Sequence, residues 1–256
     1  MDTEEREAGV VAPAPVPVDV GIVAALSIEV GFLTDRLSKV RKYSGPSHTV
    51  LEGEYGGKIV GLIVGGMGRD AARRATDVLL AGHRPRWILS AGFGGGLNPD
   101  LKRNTVVMST EVLNLEGQRY AIDVAVPPQG RGLRIATGRL LTVDRIVRTA
   151  AEKAELRRRF DADLLDLETS AVAAVCRERS IRFQSIRVVS DEAGVDLPPE
   201  VASLMTESGS YRVGAVLRAI WHRPSSVKDF WVLHEHAQEA ADRLAQFTVG
   251  AIERLD

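Results

Sequence analysis

Asp166-Leu167-Glu168 opens a helical pattern that leads into Phe183-Gln184-Ser185-Ile186-Arg187-Val188-Val189-Ser190-Asp191. In the first part Ala171, Val172, Val175 and Cys176 recur at helical spacing, and the second is a strand whose Val188 and Val189 mark it as buried. This pair sets two carboxylates at the adjoining ends of consecutive elements. One can grip a diol and the other can give a proton to a leaving group.

Outward from this pair, short β-branched runs alternate with longer amphipathic ones, as in a mostly parallel sheet covered by helices. Strands are expected at 18–25, 49–55, 58–64, 87–91, 105–110, 133–137 and 184–190, and helices at 28–39, 69–81, 144–159, 167–179 and 227–254. Gly56-Gly57 reads as a hairpin turn, which makes the sheet mixed. The expected fold is therefore one α/β domain over 18–256, with a mixed, mostly parallel central sheet flanked by helices and a flexible tail at 1–17. Residues 196–226, with Pro198-Pro199 and Ser208–Ser210, read as two short helices joined by loops.

A chain of 256 residues is long enough to bury a substantial core, and its net charge of −1 gives no reason to expect a nucleic-acid partner. The single cysteine, Cys176, excludes a disulfide framework and fits a reducing cytoplasm. In its apolar helical setting it reads as a small buried hydrophobe. No apolar run is long enough to span a bilayer, and the charged residues 2–8 followed by a proline-rich stretch do not form a signal peptide. His234 and His236 point to different helix faces, so no metal site is expected.

Gly92-Phe93-Gly94-Gly95-Gly96 directly follows a strand, where glycines permit close approach of a ligand and positive φ, or simply a tight turn. Gly66-Met67-Gly68-Arg69-Asp70-Ala71 also joins a strand to a helix and resembles a dinucleotide fingerprint. A full strand and helix precede it, however, and the next strand ends in Leu89-Ser90-Ala91 with no acid to hold a cofactor ribose, so no cofactor is expected. Glu29 stands in the first turn of a helix, where a carboxylate also complements the helix dipole. Asp191 emerges from a buried strand, a setting that raises a carboxyl pKa, and Ser190 beside it can supply a hydrogen bond; a helix cap is the competing role.

Four segments together resemble the nucleoside phosphorylase superfamily, in particular its 5′-methylthioadenosine/S-adenosylhomocysteine nucleosidase branch. They are Ala25 to Glu29 with the opening strand, Gly66-Met67-Gly68, the glycine cluster continuing to Lys102, and Leu167-Glu168 followed by Arg187 to Asp191. The resemblance runs from about Val18 to the C-terminus. Arg187 to Asp191 with Asp196-Leu197-Pro198-Pro199 is also similar to the hopanoid-associated phosphorylases, relatives linked to adenine removal from adenosylhopane. The resemblance implies hydrolysis of the N-glycosidic bond of an adenine nucleoside with a modified 5′ group, in a homodimer. It casts Asp191 as the acid that protonates N7 of the purine and Glu29 as the residue that deprotonates the attacking water. Glu168 holds the ribose hydroxyls, Leu167 and Met67 belong to the pocket, and Ser190 supports the acid. The backbone of Gly92, Phe93, Gly94 and Gly95 lines the site.

Departures from the family pattern bear on the nucleophile and the substrate. The two arginines with which phosphorylases hold phosphate are missing: the loop after the first strand has none before Arg36, and the second position falls near Ser90. This favours water, although Arg69 could restore a cation and keep phosphorolysis open. Phe93 replaces a serine, and Asp166 is a shorter stand-in for a glutamate at the substrate site; both are compatible with a bulkier or more apolar 5′ group. A non-catalytic nucleoside-binding protein is the third possibility, disfavoured by the joint presence of Glu29, Glu168 and Asp191.

Overall fold

The computed structural model describes residues 14–45, 48–122, 132–198 and 226–255. Most of the 196–226 segment therefore lies outside the described residues, as do the first thirteen residues of the expected tail.

The centre of the molecule is β5 (His83–Gly96), a strand of 14 residues that exchanges partners along its length. It runs parallel to β1 (Val16–Ala24) on one side and to β10 (Arg182–Asp191) on the other, and its last two residues pair antiparallel with β9 (Leu164–Asp166). β10 continues to β6 (Val106–Asn114), β6 to β8 (Ile135–Thr142), and β8 to β9, so these five strands close on themselves. From β1 an open wing extends through β4 (Lys58–Val64), β3 (Thr49–Tyr55) and β2 (Ser38–Ser44), while β7 (Arg119–Ala121) edges β6. The longest pairings, β5 with β10, β6 with β8 and β1 with β5, are parallel. The hairpin of β3 and β4 turns through Gly56 and Gly57 at φ +56° and +78°, the left-handed pair that a two-residue hairpin requires.

Side-chain alternation along the strands sorts the core onto two faces. Val20, Ile22, Leu62, Leu89, Ile186 and Val188 meet α1 (Ser27–Thr34) and the end of α5 (Ser226–Arg254), with Val30, Leu33, Leu244 and Ile252 in between. On the opposite face Val23, Ile63 and Ile88 meet α2 (Arg69–Gly82) and α4 (Thr169–Glu178) through Ala72, Ala75, Leu79, Val172 and Cys176. Cys176 is thus a core residue, and burial pushes its thiol up to about 12.

Four expectations are corrected. β1 begins at Val16, inside the expected tail, because Val16 and Pro17 pair with His83 and Arg84. The first helix ends at Thr34, and Ser38–Ser44 form an edge strand exposed along its whole length, so no buried face marks it in the sequence. α3 (Ala150–Phe160) starts later than expected: Thr149 caps it by accepting from Glu152 N, leaving 144–149 as a loop. Asp166 ends β9 rather than opening a helix, and α4 begins at Thr169 with Glu168 at its N-cap.

Gly65 lies where β4 turns toward α2. A Cβ there would stand 2.6 Å from Ala75 Cβ and 3.3 Å from the Ala71 carbonyl oxygen. Gly65→Ala is expected to lower the unfolding free energy by about 1–3 kcal/mol, the usual cost of overpacking, read as a lower urea midpoint with unchanged slope.

Candidate active site

The carboxyl ends of β1, β4, β5, β9 and β10 converge on one cavity of about 170 Å³. Its lining includes Glu29, Met67, Phe93, Gly94, Gly95, Asp166, Leu167, Glu168, Ser190 and Asp191, which are brought together from five separate segments. Ala25, Leu26, Ile146, Val147, Leu165 and Leu197 complete the wall. The loop 144–149 that supplies Ile146 and Val147 looks helical in sequence, which conceals its role.

Glu29 is 4% exposed. Its Oε2 accepts from Ala25 N at 3.0 Å and Leu26 N at 2.8 Å, and its Oε1 accepts from Phe93 N at 2.8 Å. Two carboxylate oxygens offer about four lone-pair directions, so one remains for a further donor. Burial raises the Glu29 pKa above its ordinary value, opposed by these backbone bonds and by the charge of Arg187.

Gly92 is absent from the cavity lining and makes room for Glu29 instead: a Cβ there would lie 2.5 Å from Glu29 Oε1. The whole glycine cluster stays within β5, and none of its members has positive φ. Crowding is what requires them. Gly94 and Gly96 would bring a Cβ within 3.1 Å of the carbonyl oxygens of Leu165 and Asp191, respectively.

Glu168 accepts from Gly68 N at 2.8 Å and from Leu167 N at 3.2 Å. Gly68 holds φ +92° at the N-cap of α2, which turns its N–H toward this carboxylate. Burial, then the neighbouring charge of Asp166, raise the Glu168 pKa to about 8.

Asp166 lines the cavity, yet its oxygens are occupied by protein. Oδ1 accepts from Thr142 Oγ1 at 2.8 Å, and Oδ2 meets Thr169 N, Thr169 Oγ1 and Arg187 Nη2, the last at 2.7 Å. It orders the site rather than offering a free carboxylate to a ligand. Arg187, 2% exposed, also donates to Ser90 Oγ at 2.9 Å and to Thr169 Oγ1 at 2.6 Å. A buried arginine inside a β-branched strand is the signal for this group, and only the partner Asp166 shows its purpose.

Ser190 and Asp191 are adjacent in a strand, so regular alternation would send them to opposite faces. A register shift between Val189 and Asp191 removes that alternation, and both reach the cavity. The Ser190 hydroxyl donates to Asp191 Oδ1 across 2.6 Å and lies 3.2 Å from the Gly94 carbonyl oxygen.

A second, small cavity of about 10 Å³ shares Glu29 and Glu168 with the main one and is also lined by Ser90, Arg187 and small residues of β1, β5 and α2. It has room for about one water. Among the described residues no lysine or arginine lines the main cavity. Arg69 pairs with Glu116 at 2.7 and 3.0 Å and with Asp144 at 2.9 Å, so its charge is already neutralised.

Residues 19–253 match the model of the phosphorylase superfamily. A 5′-methylthioadenosine/S-adenosylhomocysteine nucleosidase of Actinobacillus succinogenes is 28% identical over 203 residues, 69% of this chain and 88% of that protein. The Bacillus subtilis protein of the same name is 26% identical over 223 residues, covering 78% and 96%. Among solved structures, the Neisseria meningitidis nucleosidase of this name in complex with methylthio-immucillin-A superposes with a TM-score of 0.72 at 23% identity, over 92% of this chain and 98% of the other. The Colwellia psychrerythraea enzyme in complex with adenine gives 0.73 at 20%, over 95% and 98%. At these identities the superpositions establish the fold.

Two measurements probe this geometry. Breaking a buried ion pair by removing one partner costs about 3–5 kcal/mol, so Arg187→Met is expected to lose stability of that order in urea unfolding. Because the folded-state pKa of Glu168 is raised from 4.5 to about 8, its stabilising contribution is complete below pH 4.5 and is lost as pH rises through about 8. The unfolding free energy of the ligand-free protein therefore falls across that window, and Glu168→Gln flattens the slope.

Proposed function

We propose that this chain, which belongs to the phosphorylase superfamily, hydrolyses the N-glycosidic bond of an adenine nucleoside with a modified 5′ position and releases adenine. The observation that carries this reading is the setting of Glu29: one acceptor direction left open, beside a small space for about one water, with no lysine or arginine among the described residues that line the main cavity. That arrangement fits a water nucleophile. A phosphate dianion would need more room and uncompensated positive charge.

In this mechanism Asp191 gives its proton to N7 of the base, and the electron pair of the breaking C1′–N9 bond passes into the adenine. The sugar becomes oxocarbenium-like, and Glu168, facing the ribose hydroxyls, stabilises the growing positive charge. Water adds to C1′ and yields a proton to Glu29. Ser190 supports the acid, while Leu167, Met67, Phe93, Ile146 and Val147 supply apolar walls for the base and sugar. Asp166 and Arg187 hold the arrangement in place. The names of the relatives support methylthioadenosine and S-adenosylhomocysteine as first substrates to test. We further propose a homodimer working in a reducing cytoplasm; the single buried cysteine agrees with that compartment.

The test is adenine release from methylthioadenosine, S-adenosylhomocysteine and an adenosyl-lipid, each with and without phosphate. Release at the same rate in both conditions is expected; strict dependence on phosphate would contradict the reading. Asp191→Asn is expected to lower kcat by about 10²- to 10⁴-fold, the usual contribution of a general acid, while adenine still binds. Since the Glu29 pKa is raised, the acid limb of the wild-type activity profile should lie above 4.5, and Glu29→Gln should remove that limb together with most of the activity.

A further inference from the structure

Lys153 stands on the first turns of α3, outside the cavity lining, with its side chain 0% exposed. A lysine so deeply buried is rare without a partner that compensates its charge. Its Nζ donates to Asp191 Oδ2 at 2.6 Å, to the Glu192 carbonyl oxygen at 2.8 Å and to the Val195 carbonyl oxygen at 3.0 Å. Nζ donates in all three contacts, so they require the three protons of an ammonium group. One full positive charge therefore sits directly behind the carboxylate assigned as the general acid.

The other contacts of this region show what the charge is aligned with. Ala150 N donates to Asp196 Oδ1 at 2.7 Å and Leu197 N donates to the Arg148 carbonyl oxygen at 2.8 Å. The start of α3 thus fastens the chain from Asp191 to Leu197 at one wall of the cavity, and Lys153 is the member of this seam that reaches the reacting group. Other charged groups of this region have partners of their own or share the cavity lining. Glu192 turns to Arg103 N at 3.2 Å and Lys102 Nζ at 3.6 Å, Glu29, Glu168 and Asp166 line the same cavity, and Arg187 is paired with Asp166.

We propose that Lys153 is a positioning residue for the general acid: its ammonium fixes one oxygen of Asp191 and stabilises the carboxylate left behind when the proton passes to the base. This rests on the hydrolytic reading above. In the step itself the Asp191 O–H bond breaks, the N7–H bond forms, and Lys153 keeps its three protons throughout. As negative charge grows on Asp191, a fixed cation 2.6 Å away lowers the energy of the transition state without reorganising. A cation beside a carboxyl group favours its ionised form in general, so a pH profile reads whether the charge of Lys153 is felt at the acid.

The test is the pH profile of kcat for adenine release with saturating methylthioadenosine, so that the sugar covers Glu168, in wild type, Lys153→Met and Lys153→Arg. Removing the charge should lower the plateau by about 10²-fold and move the alkaline limb upward. Lys153→Arg, which keeps the charge, should leave the limb near its wild-type position. If Lys153→Met does not fold, Lys153→Gln keeps amide donors for the two carbonyls and reads the same limb without the charge. A lower plateau with an unmoved limb would make Lys153 a purely structural tie and overturn the proposal, as would an arginine variant whose limb moves as far as that of the methionine variant. No adenine release from the wild-type enzyme overturns the hydrolytic reading, and this inference with it.

Discussion

The ion pair between Arg187 and Asp166 is the contact around which the rest of the site is arranged. It joins β10 to β9 inside the protein, and through Ser90, Thr142 and Thr169 it also ties in β5, β8 and the start of α4. A guanidinium 2% exposed is tolerable only because its donors meet a carboxylate, hydroxyls and a backbone carbonyl in a fixed fork. The pair in turn places one positive charge next to Glu29 and Glu168. Three carboxylates share this cation, and burial is the largest cause of the raised pKa values of Glu29 and Glu168. Positive charge developing on a bound sugar would favour the ionised forms that burial disfavours, whereas a second anion would not.

Positive charge is placed according to the same economy elsewhere. Arg69, a cation near the first βα turns, is closed off by Glu116 and Asp144. Lys153 is closed off by Asp191 and two carbonyls. Among the described residues, Arg69 and Lys153 are thus each assigned to carboxylates of the protein, and Glu29 keeps an open acceptor direction. Acceptors suit hydroxyl groups, a protonated ring nitrogen and a water molecule. The fold achieves this by bringing the carboxyl ends of five strands together, with the closed turn of β5, β10, β6, β8 and β9 on one side and the open wing on the other.

Much of this can be read in the sequence, for reasons visible at particular residues. β3 and β4 have the boundaries that their β-branched patterns and Gly56-Gly57 indicate; α2 starts as expected and ends one residue later, and α4 starts two residues later and ends one earlier than expected. Glu29, Glu168 and Asp191 meet in one cavity because each sits at the end of a recognisable element. Features without a local pattern were hidden. β2 buries neither face, and β9 is three residues long. The bulge that turns Ser190 and Asp191 to the same side depends on register with β5. The glycines of β5 look like a ligand-cradling turn, yet they answer to neighbours distant in sequence: Glu29, Leu165 and Asp191. Lys153 was hidden for the same reason, since a charged residue within Ala150-Ala151-Glu152-Lys153-Ala154-Glu155 looks like a solvated helix position until Asp191 is placed behind it.

The claim most exposed to test is that Glu29 and its small neighbouring cavity select water as the nucleophile. It is met most directly by running the reaction in oxygen-18 water with saturating inorganic phosphate and weighing the sugar product. The account predicts a free 5-substituted ribose carrying one solvent oxygen, formed in step with adenine. A sugar 1-phosphate with no solvent label would contradict it and would mean that phosphate, not water, meets the sugar beside Glu29.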